Sequence, residues 1–222
     1  MEASLAVDLR GERCLLLAER ALFWPRAGCL LIADLHLGKG DAFRRHGISI
    51  PRGGTSHDLQ RLSRLLAQTQ ARELCVLGDF VHGPIHAASW QAEWLAWRAR
   101  HHGIVVTVVG GNHDRRLPAH AAALGVAVVK DARTLPPFRL THVPEPHDDH
   151  VIAGHLHPRV RMPGLRGRWP AFWLQPHMTV LPAFSAFTGG VEPVPNPGDT
   201  LVLCMDGMLA LAQAGARSPA AP

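Results

Sequence analysis

Four short apolar runs in this chain each break off at a Gly, Asp, Asn or His: Leu30–Asp34 (LLIAD), Leu74–Asp79 (LCVLGD), Ile104–Asn112 (IVVTVVGGN) and Val151–His155 (VIAGH). Runs of roughly four to eight residues rich in Val, Ile and Leu read as buried strands. Between the first two lie Leu59, Leu62, Leu65 and Leu66, spaced as one face of a helix. Between the second and third, Trp90, Trp94 and Trp97 recur at four and three residues, again one helical face. They read as core-packing aromatics rather than a platform for stacking bases. Strand, helix, strand, helix, strand predicts crossover units and a largely buried sheet. After about residue 135 prolines punctuate shorter runs, Ala171–Leu174, Met178–Leu181 and Thr200–Cys204, which read as strands of a second sheet. The expectation is one catalytic domain over residues 1–213, with a frayed tail over 214–222 (GARSPAAP and its neighbour).

Composition narrows the class. Of 222 residues, 47% are hydrophobic and 18% charged, ordinary for a folded globule, so fibrous and disordered readings are dropped. A net charge of +5 fits an anionic partner such as nucleic acid or another phosphate ester, or a basic face that serves solubility alone. Cys14, Cys29, Cys75 and Cys204 form no C-x-x-C pair and sit in apolar runs, which predicts buried, reduced thiols and a cytoplasmic protein. No apolar run approaches the roughly 20 residues that span a bilayer, so no membrane partner is expected. Histidine stands out, with 15 copies.

The histidines fall where strands end. Asp34-x-His36, Gly78-Asp79, Gly111-Asn112-His113-Asp114, His142 and Gly154-His155-x-His157 occur in that order, each closing an apolar run. Side chains from loops at the carboxyl ends of strands converge in one crevice, where α/β sheets bind ligands. In an extended or turning segment residues i and i+2 project to one side, so Asp34 with His36, and His155 with His157, can each aim two side chains inward. Imidazole and oxygen donors without thiolate suit Mn, Fe, Zn, Ni or Co rather than a structural zinc knot. Two such ions about 3.5–4 Å apart need a bridging group, and a carboxylate such as Asp79 has two oxygens to offer. Only Asp34 and Asp79 among these donors are anionic, so a site with two divalent ions stays electropositive and attracts a phosphate.

This ordered set resembles the signature of the calcineurin-like metallophosphoesterases. The resemblance implies an α/β (mixed α+β) four-layer α-β-β-α sandwich with two central β-sheets. Carried over by motif, one metal would be held by Asp34, His36, Asp79 and His157, the other by Asp79, Asn112, His142 and His155. His113 matches the histidine that stabilises the transition state and protonates the leaving oxygen. His142 rests on order and on its strand-end context, FRLTH. The blocks DLHLGKGDAFRRHGISIPRG, LGDFVHG, HVP, GHLHP and LPAFSAFTGG are further similar to the bacterial ligase-associated DNA-damage-response phosphoesterases, PdeM. That likeness implies manganese, a DNA substrate and association with a DNA ligase and a helicase. Ser185 departs from the glycine expected in the last block, and a small residue there should be tolerated.

The expected chemistry is hydrolysis of a phosphodiester at a dinuclear metal site by a hydroxide shared between the ions. His82 is expected behind the ligands; Asp114 either orients His113 or caps a helix starting near Arg115. Lys39, Arg44, Arg45 and Arg115 follow metal motifs closely enough to meet a substrate, and Arg116, Arg159, Arg161, Arg166 and Arg168 add to the basic trail. A second reading is a small nucleotide or a nucleotide-sugar lipid pyrophosphate, since DLHL also resembles the UDP-diacylglucosamine pyrophosphatases. Those carry a lipid-clasping helical insertion, and no long amphipathic apolar segment here supplies one.

Overall fold

The computed structural model describes residues 3–212 except Ile50, Arg52, Pro84, His86, Ala87, Ala88, Pro163, Leu165 and Phe187; the expected tail over 214–222 lies outside the described residues. Two mixed β-sheets face each other. The first has strands in sequence order: β1 (Ser4–Leu9), β2 (Glu12–Leu17), β3 (Ala21–Trp24), β4 (Cys29–Ala33), β5 (Glu73–Leu77), β6 (Val105–Val109) and β7 (Ala127–Val129). β1 to β4 form an antiparallel meander, and β4 to β7 are parallel. The crossovers carry α1 (Lys39–Arg45) and α2 (Gly54–Thr69), then α3 (Ser89–Arg100), then α4 (Ala121–Leu124) after a 3₁₀ turn, Leu117–His120.

The second sheet contains β8 (Ala132–Leu135), β9 (Phe138–Thr141), β10 (His150–Ala153), β11 (Arg159–Val160), β12 (Trp169–Gln175), β13 (Met178–Val180), β14 (Thr200–Met205) and β15 (Met208–Ala212). Its order is β15-β14-β12-β13-β10-β9-β8, with β11 beside β12. Here only β9, β10 and β13 run parallel to one another.

The apolar runs are continuous because the parallel strands feed two cores. In β4, Leu30 and Ile32 pack under the helices while Cys29, Leu31 and Ala33 face the second sheet. In β5, Leu74 and Val76 take the helical side and Cys75 and Leu77 the other. The two-residue alternation of a strand therefore leaves no solvent face. The helical layer is built as its pattern predicts: Leu59, Leu62, Leu65 and Leu66 are buried, as are Trp90, Trp94 and Trp97. Trp94 Nε1 donates to Leu124 O (2.8 Å) and Trp97 Nε1 to Leu59 O (3.1 Å), so the indoles are structural and unavailable to bases. All four cysteines are buried and unpaired, and burial pushes the Cys75 thiol up to about 12.

This is the αβ sandwich expected, with two differences. Among the described residues no helix follows β7, so the second helical layer of the four-layer pattern is not seen over the C-terminal sheet. The β1–β3 meander was not legible as strands, because β1 mixes Asp8 and exposed positions into its apolar residues. No helix among the described residues is long and apolar enough to cross a membrane.

Candidate metal centre

The parallel strands of both sheets end at one place. Asp34 follows β4 directly, Asp79 lies two residues past β5, Asn112 three past β6, His142 directly after β9, and His155 two past β10. Nine non-glycine residues have positive φ among the described residues, and five of them are Asp34, His36, Asp79, His155 and His157. A left-handed φ is unfavourable for side chains of this kind, and it concentrates where surrounding structure holds a functional geometry. Left-handed turns, rather than an extended pleat, thus swing i and i+2 to one side. Leu35, between the first pair, is buried in the helical core.

The ligand loops brace one another. Asp34 N–H donates to Gly78 O (3.2 Å), His36 N–H to Asp79 O (2.8 Å) and Leu37 N–H to Phe80 O (2.9 Å). From the second sheet, His155 N–H donates to Asp34 Oδ2 (3.0 Å), and Ser185 N–H reaches Asp34 O (3.3 Å), so the serine is accommodated there. The glycines of the motifs stand where loops touch. A Cβ on Gly78 would lie 2.0 Å from His142 Nδ1, one on Gly111 2.2 Å from Asp79 N, and one on Gly154 2.6 Å from the Ala33 Cβ.

Five of the seven expected donors fall into two overlapping groups that share Asp34. Asp34, His36 and His157 offer atoms within 4.8 Å of one another, and so do Asp34, Asp79 and His142. His157 Nε2 lies 3.1 Å from Asp34 Oδ1. Asp79 faces both ways: its Oδ2 is 3.9 Å from His36 Nε2 and its Oδ1 3.6 Å from His142 Nε2. The His142 Nδ1 sits 3.1 Å from Leu77 O; donation there leaves Nε2 as the lone pair, a carbonyl-to-histidine support familiar behind metal ligands. That Nε2 is 3.1 Å from His155 Nδ1, two ring nitrogens turned to one point. Asn112 is exposed and lines a cleft together with His142.

The donors fit divalent cations. Buried polar atoms are nearly always partnered, yet Asp34 Oδ1, His36 Nδ1 and Nε2, and His157 Nε2 are buried without a hydrogen bond. Burial, then the positive Lys39 nearby, pushes His36 far below the usual histidine range, and burial lowers His155. Neutral imidazoles are the ligand form.

His113 is different. It is half exposed, its backbone N–H donates to Asp79 Oδ1 (3.0 Å), and its Nε2 stands 3.8 Å from Asp79 Oδ2. His82 packs beside it, ring centroids 4.6 Å apart and 5.1 Å from His36; burial and then Lys39 lower His82 to about 4. Asp114 neither caps a helix nor turns to His113 among the bonds it makes. The helical turn begins at Leu117, and the buried Asp114 carboxylate accepts the backbone N–H groups of Gly111 (2.9 Å), Val81 (3.1 Å) and Phe80 (3.2 Å). It clamps the Asp79 loop to the Asn112 loop.

The cations divide. Lys39 is partly buried, and Asp34 and Asp79 oppose the lowering that its burial causes. Arg44 is paired with Asp41 and donates to Pro51 O (3.3 Å). Arg45 and Arg115 are exposed. Arg159 and Arg168 are taken up in holding the 188–190 loop, and Arg161 pairs with Glu192 (3.6 Å). Lys130 and Arg139 line the cleft beside Asn112 and His142 and were not singled out from the sequence: Lys130 lies far from any motif, and Arg139 precedes His142 rather than trailing it as the other basic residues trail theirs.

A family model for calcineurin-like phosphoesterases matches residues 29–138, taking in Asp34, His36, Asp79, Asn112 and His113. A Pseudomonas putida structure described as nuclease MPE is similar at 37% identity and a TM-score of 0.83, covering 94% of this chain and 100% of that one. The chain belongs to the calcineurin-like phosphoesterases. It is a metallophosphoesterase, and its likeness to a nuclease extends past the family match into the strands that carry His142, His155 and His157. Yfce, a phosphoesterase from E. coli, aligns at 19% identity and a TM-score of 0.42 over 82% of this chain and 91% of its own. No curated protein matches.

Proposed function

We propose that this metallophosphoesterase is a phosphodiesterase that cleaves DNA, with Asp34, His36, Asp79 and His157 around one divalent ion and Asp79, Asn112, His142 and His155 around a second. The observation that carries the reading is the set of buried carboxylate and imidazole atoms without a hydrogen bond, gathered from both sheets. The similarity to a nuclease supports the substrate class. When bound, two divalent ions supply Lewis acidity, which acidifies the attacking water and offsets charge on the phosphoryl oxygens. Asp79, with one oxygen toward His36 and the other toward His142, would help to hold both ions. His113, hung from Asp79 by its backbone and open to solvent, holds the proton for the leaving oxygen. Lys39, Arg45 and Arg115 are positioned to meet phosphates, and Asp114 keeps the Asp79 and Asn112 loops in register. Manganese is the metal that the family likeness favours, the catalytic unit spans 1–213, and a DNA ligase and helicase are the expected partners in a cytoplasmic, reducing setting.

The test is a matrix of metals against four substrates: a nitrophenyl phosphodiester, its monoester, single-stranded DNA and duplex DNA. With Mn²⁺ added, DNA cleavage should appear and fall steeply with ionic strength, while hydrolysis of the small diester should not. Negligible turnover of all four with Mn²⁺ overturns the reading.

A further inference from the structure

A cleft of about 1050 Å³ opens beside the metal centre, and Asn112 and His142 form its inner end. Its volume is at the top of the range for small-molecule sites, roughly 300–1,000 Å³. Three cations line it: Arg115 from the loop after β6, Lys130 just past β7, and Arg139 on β9. None of them makes an ion pair or side-chain hydrogen bond among the described residues, although Asp131 and Glu145 line the same cleft. The third carboxylate there, Asp114, is turned into three backbone N–H groups. Arg133, one sheet position away on β8, shows the contrast: it is held by both oxygens of Glu73.

The free cations are anchored to the ligand loops. Gly110 N–H donates to Val129 O (2.8 Å), and a Cβ on Gly110 would lie 2.7 Å from Lys130 O, so Lys130 is packed against the start of the Asn112 loop. Arg139 lies on β9, three residues before His142, which follows the end of that strand. The lining also offers apolar surface from Pro118, Val128 and Val143. Unpaired cations and apolar side chains in one cleft suit a polynucleotide, which offers phosphates together with sugars and bases.

We infer that this cleft is the track of the nucleic-acid chain on the Asn112–His142 side of the scissile phosphate, with Lys130 and Arg139 as its phosphate-binding residues. The inference rests on the DNA reading above. Binding of a fluorescent oligonucleotide to the full chain, in Ca²⁺, is followed by anisotropy across a salt series. The double variant Lys130→Ala/Arg139→Ala is compared with Arg64→Ala/Arg100→Ala, which removes the same charge from exposed positions of the helical layer. The cleft variant should flatten the slope of log K against log salt by roughly 1.4 on a single strand or 1.8 on a duplex, at about 0.7 or 0.9 per phosphate contact. The helical variant should keep the wild-type slope, and Lys130→Arg/Arg139→Lys should restore it. Equal slopes in both alanine variants, or a wild-type slope in the cleft variant, overturn the inference while leaving the DNA reading intact. A wild type that neither binds nor cleaves DNA removes the DNA reading itself.

Discussion

The two sheets supply the metal centre in different ways. On the first, the ligand loops after β4 and β5 zip to each other through backbone hydrogen bonds, and an isolated bridge between Leu37 and Val81 extends the parallel ladder past its end. On the second, His142 and His155 are steered by atoms of the first half: His142 by Leu77 O, His155 by Asp34 Oδ2. A parallel bridge from Ala33 to Ala183 joins the sheets at this point. Each candidate metal group draws on both halves. The first half is assembled by its own ladder, whereas the second is placed by docking, so damage at the join should remove metal without unfolding either sheet.

The strongest way to break that comparison is at the join. Gly78→Ala puts a Cβ 2.0 Å from His142 Nδ1 at a φ of +75°, and Gly154→Ala puts one 2.7 Å from Asp34 Oδ2. Overpacking of this kind costs roughly 1–3 kcal/mol, more where the backbone must shift. Elemental analysis after manganese loading should show most of the metal gone from Gly78→Ala, with a lowered urea midpoint. Full metal content in that variant would mean that the halves are not held this closely.

A second test separates residues that hold metal from the one that does not. His142→Ala should lose metal and activity together. His113→Ala should keep its metal and lose roughly 10²–10⁴-fold in turnover, the usual worth of general acid help. Near-normal turnover in His113→Ala removes its assignment as the acid.

The smallest effect lies in the second sheet, away from the ligands. His150 is buried, its Nε2 2.9 Å from Thr179 Oγ1, and burial, then Arg10 and His177, lower it from 6.5 to about 4. Between those values the unfolded chain binds more protons than the folded one. The contribution is therefore complete above pH 6.5 and is lost as pH falls toward 4. Urea midpoints of metal-free protein should decline across that window, less steeply in His150→Gln. Equal slopes would show that the neutral ring contributes nothing there.

Much of this was legible beforehand because it is local. Apolar runs closing in Asp, Asn or His placed β4, β5, β6 and β10 within a residue at their starts, while the short β7 was missed, and the tryptophan spacing placed a core. The meander was missed because its alternation is interrupted by charged residues such as Asp8 and Arg13. Asp114 was misjudged because an aspartate before a helical turn has the local look of a cap, while its partners Phe80 and Val81 lie more than thirty residues away.

The amino-acid sequence by itself determined the order of the candidate His, Asp and Asn residues and the strands that deliver most of them, since hydrophobic periodicity and strand-end chemistry depend on near neighbours. Only the tertiary structure decided that Asp79 faces both groups, that His142 is turned by Leu77 O, and that Lys130 and Arg139 share a cleft with the metal centre. Those facts depend on how two sheets dock. Docking is set by glycine-sized contacts between residues far apart in the chain, and no local pattern records them.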